Sequence, residues 1–288
     1  GENKNHMTTI GILHTTIRGD EKLIIEAAKK RNIQIKLIDV REEIFNRKTY
    51  KCDLDVALER CVSTVKGTHA TRFFESIGII VINNSSVASI CEDKFVTSCF
   101  LQKAKVPTPD FAMVFNTEQA AKAIDEMGGF PVVIKPPLGS WGRLLAKIND
   151  IDALEAVLEH KEVLGSPQQK SFYIQQYVKK PGRDIRAFVI DGKTICAIYR
   201  DSPHWITNTA RGGVAKNCPV SKEIADISRR ASDAVGGGIL SMDIFETDEG
   251  LQINEINHTT EFKNSEKPTN TSISGAIVDY CVKVAKNL

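Results

Sequence analysis

Ile239-Leu240-Ser241-Met242-Asp243-Ile244-Phe245 and Leu251-Gln252-Ile253-Asn254-Glu255-Ile256-Asn257 flank a turn at Asp248-Glu249-Gly250. Two apolar-rich runs of strand length around a glycine turn predict an antiparallel β-hairpin. Side chains two apart in a strand share a face, so Glu255 and Asn257 point the same way. A register that sets Asp243 opposite Glu255 brings three oxygen donors together on rigid strands. Such a set suits one or two magnesium ions shared with substrate phosphates. The same residues also suit an ordinary polar face of a half-exposed sheet, and spacing alone does not separate the two.

Working back from this hairpin, a second one is predicted from Asp184–Ile190 and Thr194–Arg200 around Asp191-Gly192. With helices over Ser221–Val235 and Ile273–Ala285, the region is of α+β type. Before it, strands are expected at Phe111–Phe115, Pro131–Lys135, Leu144–Ile148 and Phe172–Val178, with helices at Thr117–Met127 and near Asp152–His160. A long helix is predicted from Ser86 to Lys105, ending at Val106-Pro107 because proline cannot continue it. In the first third, the apolar runs Thr8–Leu13, Ile33–Val40, Leu54–Leu58 and Gly78–Ile82 alternate with amphipathic segments such as Asp20–Asn32. That alternation implies an open α/β layer with parallel strands. It carries no Gly-x-Gly-x-x-Gly and no phosphate-loop motif. The expected division is an N-terminal α/β domain at 7–93, a central subdomain at 94–178 and a C-terminal subdomain at 179–288. Residues 1–6 read as an expression remnant ahead of a natural start at Met7.

With 288 residues, 42% hydrophobic and 26% charged, the chain can build real cores. A formal charge of +2 is too small to argue for nucleic acid or an anionic membrane as partner. No run of about 18 apolar residues is present. Seven cysteines lack any C-x-x-C pair and fit neither a disulfide framework nor a zinc site. They read as small core residues in a reducing cytoplasm.

Three further features can carry chemistry. Lys135 closes an apolar strand and is followed by Pro136-Pro137-Leu138-Gly139-Ser140-Trp141-Gly142-Arg143. The glycines allow backbone N–H groups to approach an anion, and Arg143 offers a fork for phosphate oxygens. Taken by itself this loop is equally an ordinary mobile turn. Lys94 lies in a helical pattern and by itself reads as a surface lysine. The stretch from Arg200 to Gly213 packs amide, hydroxyl and guanidinium groups into a loop after a strand, the usual place for substrate recognition. Its His204 reads as a packing or solvated residue.

The order of Lys94, Lys135, the glycine loop, the Asn208 segment and the Asp243/Glu255/Asn257 trio resembles that of ATP-grasp ligases of the RimK-like branch. The stretches 139–144, 204–213 and 255–264 are most similar to members of that branch that load amino acids onto the acidic carrier protein LysW. The resemblance implies an ATP-grasp fold, with ATP between the central and C-terminal subdomains. Lys94 and Lys135 would then bind phosphates, and Gly139, Ser140, Trp141, Gly142, Arg143, Leu144 and Leu145 would fold over them. Gln175, Gln176, Tyr177 and Val178 would hold the adenine, with Asp184 and Arg186 on the nucleotide side and Asn208 touching the nucleotide. Asp243, Glu255 and Asn257 would hold magnesium. Arg200 and Arg211 are the implied catalytic clamps on substrate carboxylates, joined in substrate binding by Thr209, Ala210, Gly212 and Gly213.

The implied reaction makes an acyl phosphate at the carrier's C-terminal glutamate side chain, which the amine of α-aminoadipate attacks. No covalent enzyme nucleophile is needed. Amino-acid choice in the family is associated with Glu261, Phe262, Lys263, Asn264 and Ser265. Aminoadipate-specific members carry Asn then Thr or Ala there, and glutamate-specific ones Gly-Phe. Asn264-Ser265 is a small pair that leaves room for the longer side chain. Serine departs from the usual pattern, so glutamate or dual use stays open, as does a peptide glutamate ligase. A non-catalytic nucleotide-binding scaffold is the reading from another class. Relatives form homo-oligomers, so a homotetramer is expected, in lysine biosynthesis and with a link to arginine biosynthesis.

Overall fold

The computed structural model describes residues 6–139, 146–164, 170–201 and 214–287. The first sheet has parallel strands β1 (Thr9–His14), β2 (Gln34–Asp39), β3 (Val56–Glu59) and β4 (Val81–Ile82) in the order β2-β1-β3-β4. Helices α1 (Gly19–Lys30) and α2 (Thr64–Ser76) link them. The expected α/β layer is therefore present. Helix α2, which is not among the sequence-based expectations, starts at Ser63, whose hydroxyl accepts the Lys66 N–H.

The predicted single helix from Ser86 to Lys105 is two helices, α3 (Ser85–Glu92) and α4 (Lys94–Lys103). Asp93 is extended, with φ −109° and ψ 115°, and its carboxylate caps α4 by accepting the Val96 N–H. Aspartate is a poor interior helix residue and a good cap, so the break has a local cause. It bridges to Leu138, and Lys94 N donates to Pro137 O at 2.8 Å. The start of α4 is thus pinned beside the end of the lysine-bearing strand.

The second sheet is antiparallel, β5 (Phe111–Val114), β8 (Phe172–Gln176), β6 (Val132–Lys135) and β7 (Ala146–Ile148), in that spatial order. Helices α5 (Thr117–Glu126) and α6 (Ile151–Leu164) cover one face. The core between them includes Ile124, Ile134, Leu154, Leu158 and Phe172, all shut off from solvent. This layer has a core of its own.

The third sheet runs β11 (Val214–Asn217), β10 (Lys193–Asp201), β9 (Arg183–Ile190), β12 (Ile239–Thr247) and β13 (Gly250–Asn257), all neighbours antiparallel. Both predicted hairpins are present: β9 with β10, and β12 with β13. Asp191-Gly192 turns with positive φ at both residues, +55° and +76°, as a tight two-residue hairpin requires. Strand β11 (Val214–Asn217) lies outside the sequence-based expectations. One face packs on α7 (Lys222–Val235) and on Val87, Cys91, Leu101 and Val106. The other face packs on α9 (Ile273–Ala285), which also meets α1 and β3. One continuous core therefore runs from Ile10 and Ile12 of the first sheet to Phe188 and Ile198 of the third. Five of the seven cysteines are buried and all are free, as the small-core-residue reading expects. Among the described residues no helix is long and apolar enough to cross a membrane.

Candidate active site

Along one face of the third sheet, its three middle strands change from apolar to charged toward the same end, β9 and β12 at the Arg186–Asp243 pair and β10 one step further on, at Arg200. On β9 the sequence on that face is Ile190, Phe188, Arg186, Asp184; on β10 it is Cys196, Ile198, Arg200; on β12 it is Ile239, Ser241, Asp243. The register aligns them: Phe188 pairs with Cys196 and Ser241, Arg186 with Ile198 and Asp243, and Asp184 with Arg200. The apolar end packs on α9, leaving the charged end to form the floor of a cleft.

Most of that floor is buried. Arg200 and Asp184 are each 3% exposed and Asp243 is 5% exposed. Arg200 donates from Nε and Nη2 to the two Asp184 oxygens, both at 2.9 Å, and its Nη2 lies 3.1 Å from Asp243 Oδ1. Arg186 Nε donates to Asp243 Oδ1 at 2.9 Å. Burial and then the charge of Asp243 push the Asp184 carboxyl upward. Burial also pushes Asp243 upward, but the guanidinium groups of Arg186 and Arg200 together hold it well below the ordinary range. Arg200, expected to clamp substrate, thus has two of its nitrogens committed to acids within the protein.

Asp243 pairs directly with Glu255, the register on which the metal reading depended. Ser241 pairs with Asn257. Between Asp243 and Ile244 the register slips, because β13 carries one extra residue, a β-bulge at Asn254. Ile253 and Ile256 therefore both reach the apolar face although they are three apart, and Asn254 and Glu255 are both left out of it. Asn254 is a site residue that sequence reasoning missed. Its signal was the Ile-x-x-Ile spacing, which an unbulged strand cannot bury on one side.

Asn254 Oδ1 accepts a hydrogen bond from Lys135 Nζ at 3.1 Å, joining the second sheet to the third. Lys135 is 8% exposed. Lys94 Nζ donates to Gly139 O and lies 3.9 Å from Glu255 Oε1. The two lysines, the end of the glycine loop and the two acids therefore meet at one place. Burial pushes the Lys135 ammonium down to about 8; Glu255 works against that shift and Lys94 adds to it. A buried ammonium whose bonded partner is a neutral amide favours an anion nearby.

Gln175 is 2% exposed and shares the cleft-facing side of β8 with Tyr173, opposite the Phe172 and Ile174 side that enters the core. Its Nε2 makes no close hydrogen bond among the described residues, the Tyr173 hydroxyl being its polar neighbour. A buried unmatched donor beside the lysine-bearing strand fits a ligand that supplies an acceptor. Gln176 is exposed, and the Tyr177 ring lies 4.0 Å beneath Lys147 Nζ. The donors Asp243, Glu255 and Asn257 are two carboxylates and an amide oxygen. Among the described residues no three His, Cys, Asp or Glu side chains form a metal cage. This set fits magnesium, which binds through one or two carboxylates and completes its shell with phosphate and water oxygens.

Within the amino-acid-associated segment, Phe262 is 1% exposed and belongs to the apolar core, so it lines no pocket. Ser265 is buried and precedes the short helix α8 (Glu266–Thr269), whereas Glu261, Lys263 and Asn264 are exposed. Ser140, Trp141, Gly142, Arg143, Leu144, Leu145, Asn208, Thr209, Ala210, Arg211, Gly212 and Gly213 lie outside the described residues.

A cleft between two sheets, floored by paired acids and edged by two lysines, suits an anionic substrate that brings a divalent cation, as a nucleotide does. A family model described as a RimK-like ATP-grasp domain matches residues 91–281, and a LysX preATP-grasp domain matches residues 10–90. The chain belongs to the RimK-like ATP-grasp family of ATP-dependent carboxylate–amine ligases. It is 34% identical to the glutamate–LysW ligase ArgX of Sulfurisphaera tokodaii, over 92% of this chain and 94% of that protein. It is also 34% identical to the α-aminoadipate–LysW ligase LysX of Saccharolobus solfataricus, over 93% of this chain and 99% of that one. The RimK-domain ATP-grasp protein from Sphaerobacter thermophilus superposes with a TM-score of 0.78 at 21% identity, covering 96% of this chain and all of that one.

Proposed function

We propose that the protein joins the amino group of α-aminoadipate to the C-terminal glutamate side-chain carboxyl of LysW, with ATP consumed. The observation that carries the carrier assignment is the equal 34% identity to two LysW ligases over more than nine-tenths of the chain. Those two relatives differ in amino acid, so the choice rests on Asn264-Ser265, a small pair where a phenylalanine would shorten the pocket. ATP and magnesium supply the activating phosphoryl group and the charge that stabilises its transfer to the carrier carboxyl, after which the amine displaces phosphate. In this reading Lys94 and Lys135 bind the phosphates, and Asp243, Glu255 and Asn257 hold the metal. Gln175 faces the adenine. The buried floor around Arg200 keeps these charges in a poorly hydrated setting, where they act more strongly than in water. A homotetramer in the cytoplasm, serving lysine biosynthesis, completes the reading.

The test is a competition for transfer to LysW between α-aminoadipate and glutamate, with product mass read out. The two differ by one methylene, which a shaped pocket discriminates by roughly 10–200-fold. A preference for α-aminoadipate of at least about 10-fold is expected. Transfer of glutamate alone overturns the specificity, and equal transfer makes the enzyme bifunctional.

Lys135 gives a pH signature. It must be charged to meet a phosphate, and in the free protein it is half neutral at about 8. The value of kcat/KM for ATP, which reports groups of the free enzyme, is expected to fall as pH rises through that value. Lys135→Arg should remove that limb, since guanidinium stays charged throughout. An unchanged alkaline limb in this variant counts against Lys135 as its source.

A further inference from the structure

The segment 258–265 leaves strand β13 just after Asn257 and leads into α8. Residues of the first sheet and its helices hold it. Asp20 Oδ1 accepts from two successive backbone amides, Phe262 N at 2.8 Å and Lys263 N at 2.9 Å. Arg60 Nη1 donates to Thr260 O at 3.0 Å, and its guanidinium lies 5.7 Å from the Phe262 ring centroid. Thr259 Oγ1 donates to Glu59 Oε2 at 3.1 Å, and Asn83 Nδ2 donates to His258 O at 2.7 Å. Arg60 is itself held by Glu21, with Nε to Oε2 at 3.0 Å, and Glu21 also accepts from Arg18.

These polar groups sit where apolar ones would be cheaper. Asp20 is 3% exposed, Glu21 0% and Arg60 3%. Buried ion pairs often stabilise less than a well-packed apolar replacement, because each charge loses its hydration. What they provide is direction. A carboxylate bridging two consecutive N–H groups fixes the peptide between them in one orientation, which a methyl contact cannot do. Phe262, pressed into the core below Arg60, fixes the segment from the other side. The exposed residues on either flank, Glu261, Lys263 and Asn264, are therefore presented from a backbone clamped at its centre.

We propose that Asp20 and Arg60 are positioning residues for amino-acid selection, and that the N-terminal layer sets substrate choice by fixing segment 258–265. This rests on the reading that the segment meets the amino acid. It goes beyond that reading by assigning the choice partly to residues 200 and 242 positions away in sequence, in a different sheet layer.

Steady-state kinetics on the full chain test it. Asp20→Ala is expected to raise KM for α-aminoadipate about 10-fold and to move the α-aminoadipate/glutamate preference toward parity. KM for ATP should stay within about 2-fold, a split that a general loss of stability does not produce. Asp20→Asn keeps a neutral acceptor and should recover most of the loss. If Asp20→Ala does not fold, Asp20→Asn alone carries the test, with a rise of about 3-fold in amino-acid KM and faster amide exchange at Phe262 and Lys263. Unchanged amino-acid KM and preference in the folded variants overturn the proposal. Replacing Asn264-Ser265 by Gly-Phe separates the failures. If that exchange switches preference and the Asp20 variants do not, only the positioning role falls. If the exchange changes nothing, the segment is not the selector and both fall.

Discussion

Glu255→Gln is expected to lower turnover by roughly 10³-fold while leaving the fold intact, a size typical of removing one group that stabilises transition-state charge. The side chain is about a quarter exposed, and its ion-pair partner among the described residues is Lys94 at 3.9 Å. Both side chains are partly buried, but at 3.9 Å the pair is loose and contributes about 1 kcal/mol, so the melting curve should move only slightly. Glutamine keeps the shape and one carbonyl oxygen but removes the charge that, in the proposed ligase reading and with Asp243 across the strand pair, would offset a divalent cation. ADP release measured beside a denaturant melt gives both quantities. A scaffold that only binds nucleotide would keep its activity when the charge of Glu255 is removed in this way, whereas the ligase reading requires the collapse. Retained turnover at wild-type stability would remove Glu255 from the metal site and, with it, the functional use of the Asp243–Glu255 register.

The architecture was legible where a period could be read. Apolar runs at 239–245 and 251–257 around a glycine turn give the hairpin, and its register sets Asp243 opposite Glu255. Asp191-Gly192 marks the other hairpin because few dipeptides accept two positive φ angles. What escaped was aperiodic. The break at Asp93 is a single residue inside an unbroken helical pattern, and only its capping chemistry reveals it. The bulge at Asn254 is visible once Ile253 and Ile256 are both required to be buried. The pairing of Asp184 with Arg200 depends on the register of a hairpin whose turn is known but whose burial is not. Beyond these, the hold of Asp20 on Phe262 and Lys263 has no local signature, since the partners are separated by nearly the whole chain. The glycine loop and the Asn208–Gly213 stretch stand out by their residue types, but only the family resemblance gives them roles.

Arg200→Met should destabilise the protein by about 3–5 kcal/mol at neutral pH, the usual cost of breaking a buried pair from one side. Asp184 and Asp243 would remain on the floor with Arg186 and Lys180 as the nearby cations. The protein's way out is to protonate Asp184, which burial and the Asp243 charge already push upward. The sign follows from proton counting. In the variant, folded Asp184 titrates above the unfolded value of about 3.9, so the folded state binds more protons and gains stability as pH falls toward that value. The deficit against wild type is therefore largest near pH 7 and shrinks toward pH 5, as urea melts at the two pH values will report. Asp184→Asn/Arg200→Met, with no orphaned carboxylate at that position, should lose less than Arg200→Met alone. The same variants decide what Arg200 is for. If Arg200→Met is stable and its defect lies in amino-acid KM, the guanidinium clamps substrate after all. If the double variant recovers both stability and turnover, its work is to hold Asp243 in place, and carboxylate recognition must come from other cations of the cleft.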